Sequence, residues 1–318
     1  MRARSATLSL LCLTALSTPA FANWTPSHVV VVVEENHGYG DIIGNANAPY
    51  INQLASQNAS FTNSHGVEHP SQPNYLDLFS GSNQGVTGDY AIAGTPFSTP
   101  NLGASLIAKG LSFTGYSESL PAPGSLAYSS TDNTYQRKHN PWSDWQSATP
   151  GANQLSASVN QPFSAFPTNF NALPAVSFVI PNEANDEHGV PPAYSVPDQQ
   201  LIANSDSWLK TNIDPYATWA KANNSLLVVT WDEDDFTAAN QIPTILVGAD
   251  VQPGQYGQDI NHYNVLRTIE DFYGLSPVGA SADASPIAGA FAVPEPASLA
   301  LMATGVLALT MLGRRRRV

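Results

Sequence analysis

Cysteine is nearly absent from the 318 residues, with Cys12 alone, and positive charge is scarce, with 12 Lys and Arg against 25 Asp and Glu. Each shortage excludes something. Cys12 lies in an N-terminal stretch that reads as a secretory signal peptide over residues 1–22. Arg2 and Arg4 make it basic, an apolar run follows to Leu16, and Ala20-Phe21-Ala22 has the form of a cleavage site. Once that segment is removed, the mature chain has no cysteine, which excludes disulfides and thiolate metal sites. Without Arg2, Arg4 and Arg314 to Arg317, 6 cations remain; without Glu295, 24 acids remain, for a net charge of −18. Such a chain repels nucleic acid and anionic membranes at long range. A phosphate substrate must therefore be drawn in by local cations.

Two apolar runs stop against carboxylates. Residues 29–33, all valine, lead into Glu34-Glu35-Asn36-His37, and residues 226–230 lead through Trp231 into Asp232-Glu233-Asp234-Asp235. Near-continuous branched runs read as parallel strands buried on both faces. Ligands of open α/β sheets bind at the carboxyl ends of such strands. Two acidic clusters meeting there repel each other, and a cation offsets that repulsion.

Further strands are expected at residues 61–64, 112–116, 175–180 and 244–247. Helices are expected at 48–58, from Pro73 to Phe79 with Ser71 as N-cap, and at 102–109, 205–222 and 262–273. This alternation predicts an α/β domain, a mostly parallel sheet flanked by helices on both faces, over residues 23–275. Residues 117–174 read as one long loop, and residues 276–292 as a linker.

Several groups carry chemistry, each beside a plainer reading. Glu35-Asn36 offers a carboxylate and an amide carbonyl to a hard cation, or else caps the next turn. Glu34 and Glu35 point to opposite sides, so only one is a ligand. Asp232-Glu233 is a second ligand pair or the start of an acidic loop. Ser71, with Glu68, His69 and Pro70 before it, sits at a helix start, where the dipole favours an alkoxide or a phosphate; serine is equally a common N-cap. Asp186 and His188 follow another strand. His262 opens the last helix. Arg137-Lys138-His139 holds the only adjacent basic pair of the mature chain and is either a phosphate contact or a solvated loop.

The C-terminus has its own pattern. Residues 297–313 are apolar and uncharged, at about 17 residues the short limit for a membrane span. Arg314 to Arg317 follow and would stay cytoplasmic, while Pro294-Glu295-Pro296 stands before the span. This order closely resembles the PEP-CTERM sorting signal, over residues 293–318. The resemblance implies transient membrane anchoring by the span, removal of the tail by an exosortase-type enzyme, and delivery to the cell envelope or the exterior. An ordinary tail anchor is the other reading.

The segments VVVEENHGYGDIIG, APYINQLA, HPSQPNYLDLFSG, YQRKHNPW, FVIPNEANDEHG, SLLVVTWDEDD, QIPTILVG and INHYNVLRTIEDFYGL occur in this order. Together they resemble the phosphoesterase family of secreted acid phosphatases and bacterial phospholipases C, within the alkaline-phosphatase superfamily. The resemblance implies an alkaline-phosphatase-like fold and a metal-dependent phosphatase acting on small phosphate monoesters. It also implies residue roles: Ser71 as nucleophile, with Glu35, Asn36, Asp232 and Glu233 as ligands of a divalent metal. His188 and His262 would be catalytic, and His69, Lys138 and Asp186 would bind phosphate. Carboxylate and amide stand where two-zinc relatives carry His and Asp, which leaves one metal or two open. The alternatives are a phospholipase C-type phosphodiesterase and a non-catalytic envelope protein that kept the fold.

Overall fold

Five consecutive valines, Val29 to Val33, occupy the middle of the sheet with both faces and both edges covered. The computed structural model describes residues 24–292, apart from residue 193, and Thr25–Ala292 form one compact unit. The signal peptide with Cys12 and the sorting tail lie outside the described residues. Among the described residues, no helix is long and apolar enough to cross a membrane.

The strands are β1 (His28–Glu34), β2 (Ala59–Phe61), β3 (Ser64–His65), β4 (Phe113–Ser117), β5 (Asn160–Pro162), β6 (Val176–Ile180), β7 (Ser225–Trp231), β8 (Thr244–Gly248), β9 (Gly254–Tyr256) and β10 (Ile260–Asn261). Eight form one sheet in the order β5-β4-β6-β1-β7-β8-β2-β9, and β10 pairs with β3 separately. The β4, β6, β1 and β7 strands run parallel, whereas β8 is antiparallel to both of its neighbours. The β1/β7 register sets Glu34 beside Trp231, so both acid-tipped strands end at the same level.

The helices are α1 (Tyr39–Ile42), α2 (Pro49–Gln57), α3 (Ser71–Ser80), α4 (Leu102–Ala108), α5 (Asp198–Asn212), α6 (Asp214–Ala220) and α7 (His262–Phe272). Alternation along β1 divides the core. Val30 and Val32 face a layer that includes Ile51, Leu54, Trp208, Leu209 and Tyr216 of α2, α5 and α6. On the other face Phe79 of α3 meets Phe113, Trp145 and Phe178 in tilted and edge-on contacts, and α7 packs on α3. The sheet is thus flanked by helices on both faces, as expected.

Four expectations are corrected, the first being the helix at 205–222, which is two: α5 from Asp198 to Asn212 and α6 from Asp214 to Ala220. Residues 61–64 divide into β2 and β3, with Thr62 and Asn63 between them. The stretch 117–174 is ordered by short 3-10 turns and β5, and it buries Trp142 and Trp145. Trp142 lies flat on β4 at Gly115, where a Cβ would come within 2.1 Å of the indole. Residues 276–292 do not form a free linker, because they pack along α7. Ser281 Oγ donates to Glu270 Oε2 at 2.7 Å, Ile287 N donates to Thr268 Oγ1 at 2.8 Å, and Phe291 meets Phe272 edge-on.

Candidate active site

Period-two alternation at the end of β1 sends its two glutamates apart. Glu34 turns toward α5, where Ser205 Oγ donates to its Oε2 at 3.0 Å. Glu35 turns toward α3. The backbone continues through Asn36 with φ 54°, which ends the strand. Asp232 N donates to Glu34 O at 3.0 Å, and Asn36 N donates to Asp232 Oδ1 at 3.2 Å, binding the two strand ends together.

Ser71 is the first residue of α3, and Pro70, not Ser71, occupies the N-cap position. The free serine hydroxyl is instead aimed at carboxylates: Oγ lies 3.1 Å from Glu35 Oε2 and 2.9 Å from Glu233 Oε1. One hydroxyl proton cannot serve two acceptors at once. Burial and the neighbouring Glu35 charge push Glu233 up to about 7, so Glu233 is able to hold or release the shared proton near neutrality.

Glu35 is the most heavily contacted group. Its Oε1 accepts from the Tyr75 hydroxyl at 2.7 Å and lies 2.9 Å from His139 Nε2. Burial opposes charge on Glu35, but the His139 imidazolium outweighs it and holds the carboxyl well below its ordinary value. Burial likewise opposes charge on His139, yet Glu35 and Glu183 hold the imidazole up to about 9. Removing Glu35 would strand a buried cation, at a cost of about 3–5 kcal/mol.

Glu183 stands between two imidazoles. Its Oε1 lies 3.1 Å from His139 Nδ1 and its Oε2 lies 2.8 Å from His188 Nδ1. His188 is raised to about 9, chiefly by Glu183 against the opposing effect of burial. The other ring nitrogen of His188 is 3.4 Å from Lys138 Nζ. Lys138 Nζ in turn donates to Asp89 Oδ2 at 2.7 Å, and Asp89 Oδ1 accepts from Gln72 N at 2.9 Å. The Asp89 carboxylate thus bridges Lys138 and the first turn of α3, where a helix start favours an anion.

Three expected roles do not fit this geometry. His69 has both nitrogens engaged, Nδ1 with Glu233 Oε2 and Nε2 with Thr237 O at 3.1 Å, so it steadies Glu233 and does not face a phosphate. Asp186 is fully buried behind His139, and burial and Glu183 push its carboxyl well above the ordinary value; it is no phosphate contact. His262 Nε2 donates to Asp232 O at 2.6 Å, and burial pushes this imidazole down to about 4. It is therefore neutral, with its only proton committed, and cannot protonate a leaving group.

The residues also bear on a cation. Asn36 Oδ1, Asp232 Oδ2, Asp186 Oδ2 and His262 Nδ1 are buried without a hydrogen-bond partner. Unpaired buried acceptors are rare, and oxygen and imidazole acceptors suit a divalent ion. Of the expected ligands, Glu35 and Glu233 meet at the Ser71 hydroxyl, and Asn36 and Asp232 meet each other at the two strand ends. Among the described residues, the one group of three His and carboxylate side chains whose donor atoms lie within 4.8 Å of one another is His139, Glu183 and Asp186. There the His139 proton already supplies positive charge, which a metal would have to displace. Tyr75, Asp89 and Glu183 are not among the residues expected from the sequence, and His139 enters there only beside the Arg137-Lys138 pair. Tyr75 follows Ser71 by four residues, one helical turn, which is the one available signal.

Comparison with known proteins agrees with the fold. The Phosphoesterase family profile matches residues 45–276, and the PEP-CTERM protein-sorting motif matches residues 292–317, which indicates export and envelope sorting. A phosphatidylinositol-3-phosphatase of Mycobacterium tuberculosis is 45% identical over 86% of this chain and 84% of its own length. An acid phosphatase of Aspergillus fumigatus is 30% identical over 77% of this chain, which spans about half of that enzyme (54%). Among solved structures, an alkaline-phosphatase-superfamily protein from Vibrio parahaemolyticus superposes with a TM-score of 0.58 at 13% identity, covering 85% of this chain and 72% of that one, a likeness of fold. With a family match across most of its length, the chain belongs to the Phosphoesterase family and is a phosphoric ester hydrolase.

Proposed function

We propose that the protein hydrolyses phosphate monoesters through a phosphoserine on Ser71, with a divalent metal held by Glu35, Asn36, Asp232 and Glu233. The observation that carries this reading is the Ser71 hydroxyl, set between Glu35 and Glu233 at a helix start. When bound, the cation neutralises the carboxylates and acidifies the hydroxyl. The Ser71 hydroxyl gives up its proton to solvent as Oγ bonds to phosphorus, with Glu233 orienting it. Lys138 and the α3 amides take the equatorial oxygens. As the bond from phosphorus to the alcohol oxygen breaks, His188, charged at neutral pH, gives that oxygen its proton. Water then attacks the phosphoserine, its proton returns to His188, and Ser71 regains a proton from solvent.

Monoesters are favoured because a relative that this chain covers nearly in full is named for removing a phosphate from phosphatidylinositol 3-phosphate. The test combines metal analysis with turnover of p-nitrophenyl phosphate, phosphatidylinositol 3-phosphate and phosphatidylcholine, and with trapping of ³²P on the protein. Equal trapping on wild type and Ser71→Ala would sink the nucleophile assignment. Preferred cleavage of phosphatidylcholine would replace the monoester reading with a diesterase.

A further inference from the structure

Two exposed aromatic rings are attached to the site histidines. Phe236 is 64% exposed and stacks on His69, with ring centroids 4.8 Å apart and planes 18° apart. Tyr194 is 57% exposed and lies against His188, with centroids at 5.5 Å. The two histidines belong to opposite arms of the network around Ser71. One arm runs from Ser71 through Glu233 to His69; the other runs through Glu35, His139 and Glu183 to His188. The rings therefore close both arms on their solvent side.

Stability does not account for either position. Each ring leaves more than half its surface in water, where an apolar group gains least from folding. Each also has left-handed backbone, Phe236 at φ 66° and Tyr194 at φ 38°, a region where bulky residues are genuine outliers. Strain of this kind gathers at ligand clamps and active sites. Glycine or asparagine would satisfy the same backbone more cheaply, yet aromatic residues stand at both places.

We infer that Phe236 and Tyr194 form the subsite for the organic part of the ester, selecting phosphomonoesters whose alcohol is aromatic over those of small polyols. This rests on the phosphatase reading of Ser71 and adds its substrate class. With the phosphate at Ser71 and Lys138 and the alcohol oxygen toward His188, the carbon skeleton points to the solvent side of the site, where both rings stand exposed. Aromatic faces hold a flat group by offset stacking and exclude water from one side of it. A hydroxylated chain such as glycerol offers no such face.

The experiment compares kcat/KM for phenyl phosphate with that for glycerol 2-phosphate in the full chain. Phe236→Gly and Tyr194→Gly keep the backbone at ease, and Phe236→Trp returns an aromatic face. The wild-type enzyme is expected to prefer phenyl phosphate. The double glycine variant should lower that preference about tenfold, through KM more than kcat, and Phe236→Trp should retain it. An unchanged ratio overturns the inference, even if both rates fall, because the rings would then only prop His69 and His188. An unchanged ratio with selective loss on phosphatidylinositol 3-phosphate in phosphatidylcholine vesicles overturns it in favour of contact with a lipid surface. If the wild type cleaves neither ester while folded and metal-loaded, the phosphatase reading fails and the subsite falls with it.

Discussion

Ser71 Oγ lies 2.9 Å from Glu233 Oε1, a serine at the start of a helix facing a carboxyl from the end of a different strand. The contact spans 162 residues of sequence, and the β1/β7 register ends both strands at one level, so that Glu35 and Glu233 both reach the hydroxyl. If Ser71 is the nucleophile, Ser71→Ala should lower kcat by roughly 10³-fold or more. The variant should melt within a few degrees of wild type, since a methyl group fits where the hydroxyl was. Initial rates with p-nitrophenyl phosphate, read beside a thermal melt, check this. A variant with half the wild-type rate would remove Ser71 from the chemistry.

Glu183 holds His139 and His188 by their Nδ1 atoms, 3.1 and 2.8 Å away, and touches neither Ser71 nor Lys138. Glu183→Gln keeps the shape and removes the charge. The kcat should fall about 10–100-fold, as when the carboxylate behind a working imidazole is lost. The direction of the pH effect is set by the shift on His188, which Glu183 holds up to about 9. Without that carboxylate the imidazolium loses its proton at lower pH, so the alkaline limb of the kcat profile should move toward neutrality. A uniform loss at every pH would assign Glu183 to packing alone.

Metal affinity should depend on pH through Glu233, which burial and Glu35 push up to about 7. Below that value the carboxyl must shed a proton before it can ligate, so affinity should fall by about tenfold per pH unit. Calorimetric titration with Mn²⁺ in two buffers of different ionisation heat counts the protons released. Release near pH 6 that vanishes above pH 8, and that is lost in Glu233→Gln, is the expected pattern. Affinity independent of pH would remove Glu233 from the ligand set.

The parts of this site legible in the sequence are those announced by strand ends. Val29 to Val33 and Leu226 to Val229 are apolar throughout because both faces of their strands are covered, and the residues that follow the strands must emerge at the sheet edge. That places Glu35, Asp232 and Glu233. The partners that come from irregular backbone stay hidden. Asp89 and Glu183 lie in a bend and a turn outside regular structure, and their roles arise from pairing across 49 residues with Lys138 and across 44 with His139. His139 stands beside the conspicuous basic pair, but a 3-10 turn directs it inward while Lys138 faces Asp89. The left-handed backbone at Phe236 and Tyr194 has no sequence signal, since that region is normally marked by glycine or asparagine.

Asp77 offers a test of stability away from the chemistry. It lies on the buried side of α3, its Oδ1 accepts from the Tyr263 hydroxyl at 2.9 Å, and its Oδ2 has no partner. Burial pushes this carboxyl from 3.8 up to about 8. The folded protein therefore holds a proton there that the unfolded chain releases. Its contribution to stability is fully present below about pH 4 and is lost as pH rises through about 8. Asp77→Asn keeps an acceptor for Tyr263 and removes the ionisation. The melting temperature of the variant minus that of the wild type should therefore become more positive from pH 5 to pH 9. Melts at pH 5, 7 and 9 decide the matter. A constant difference would mean that Asp77 is already ionised in the fold, with its charge met by a group that pairs with it in the native state.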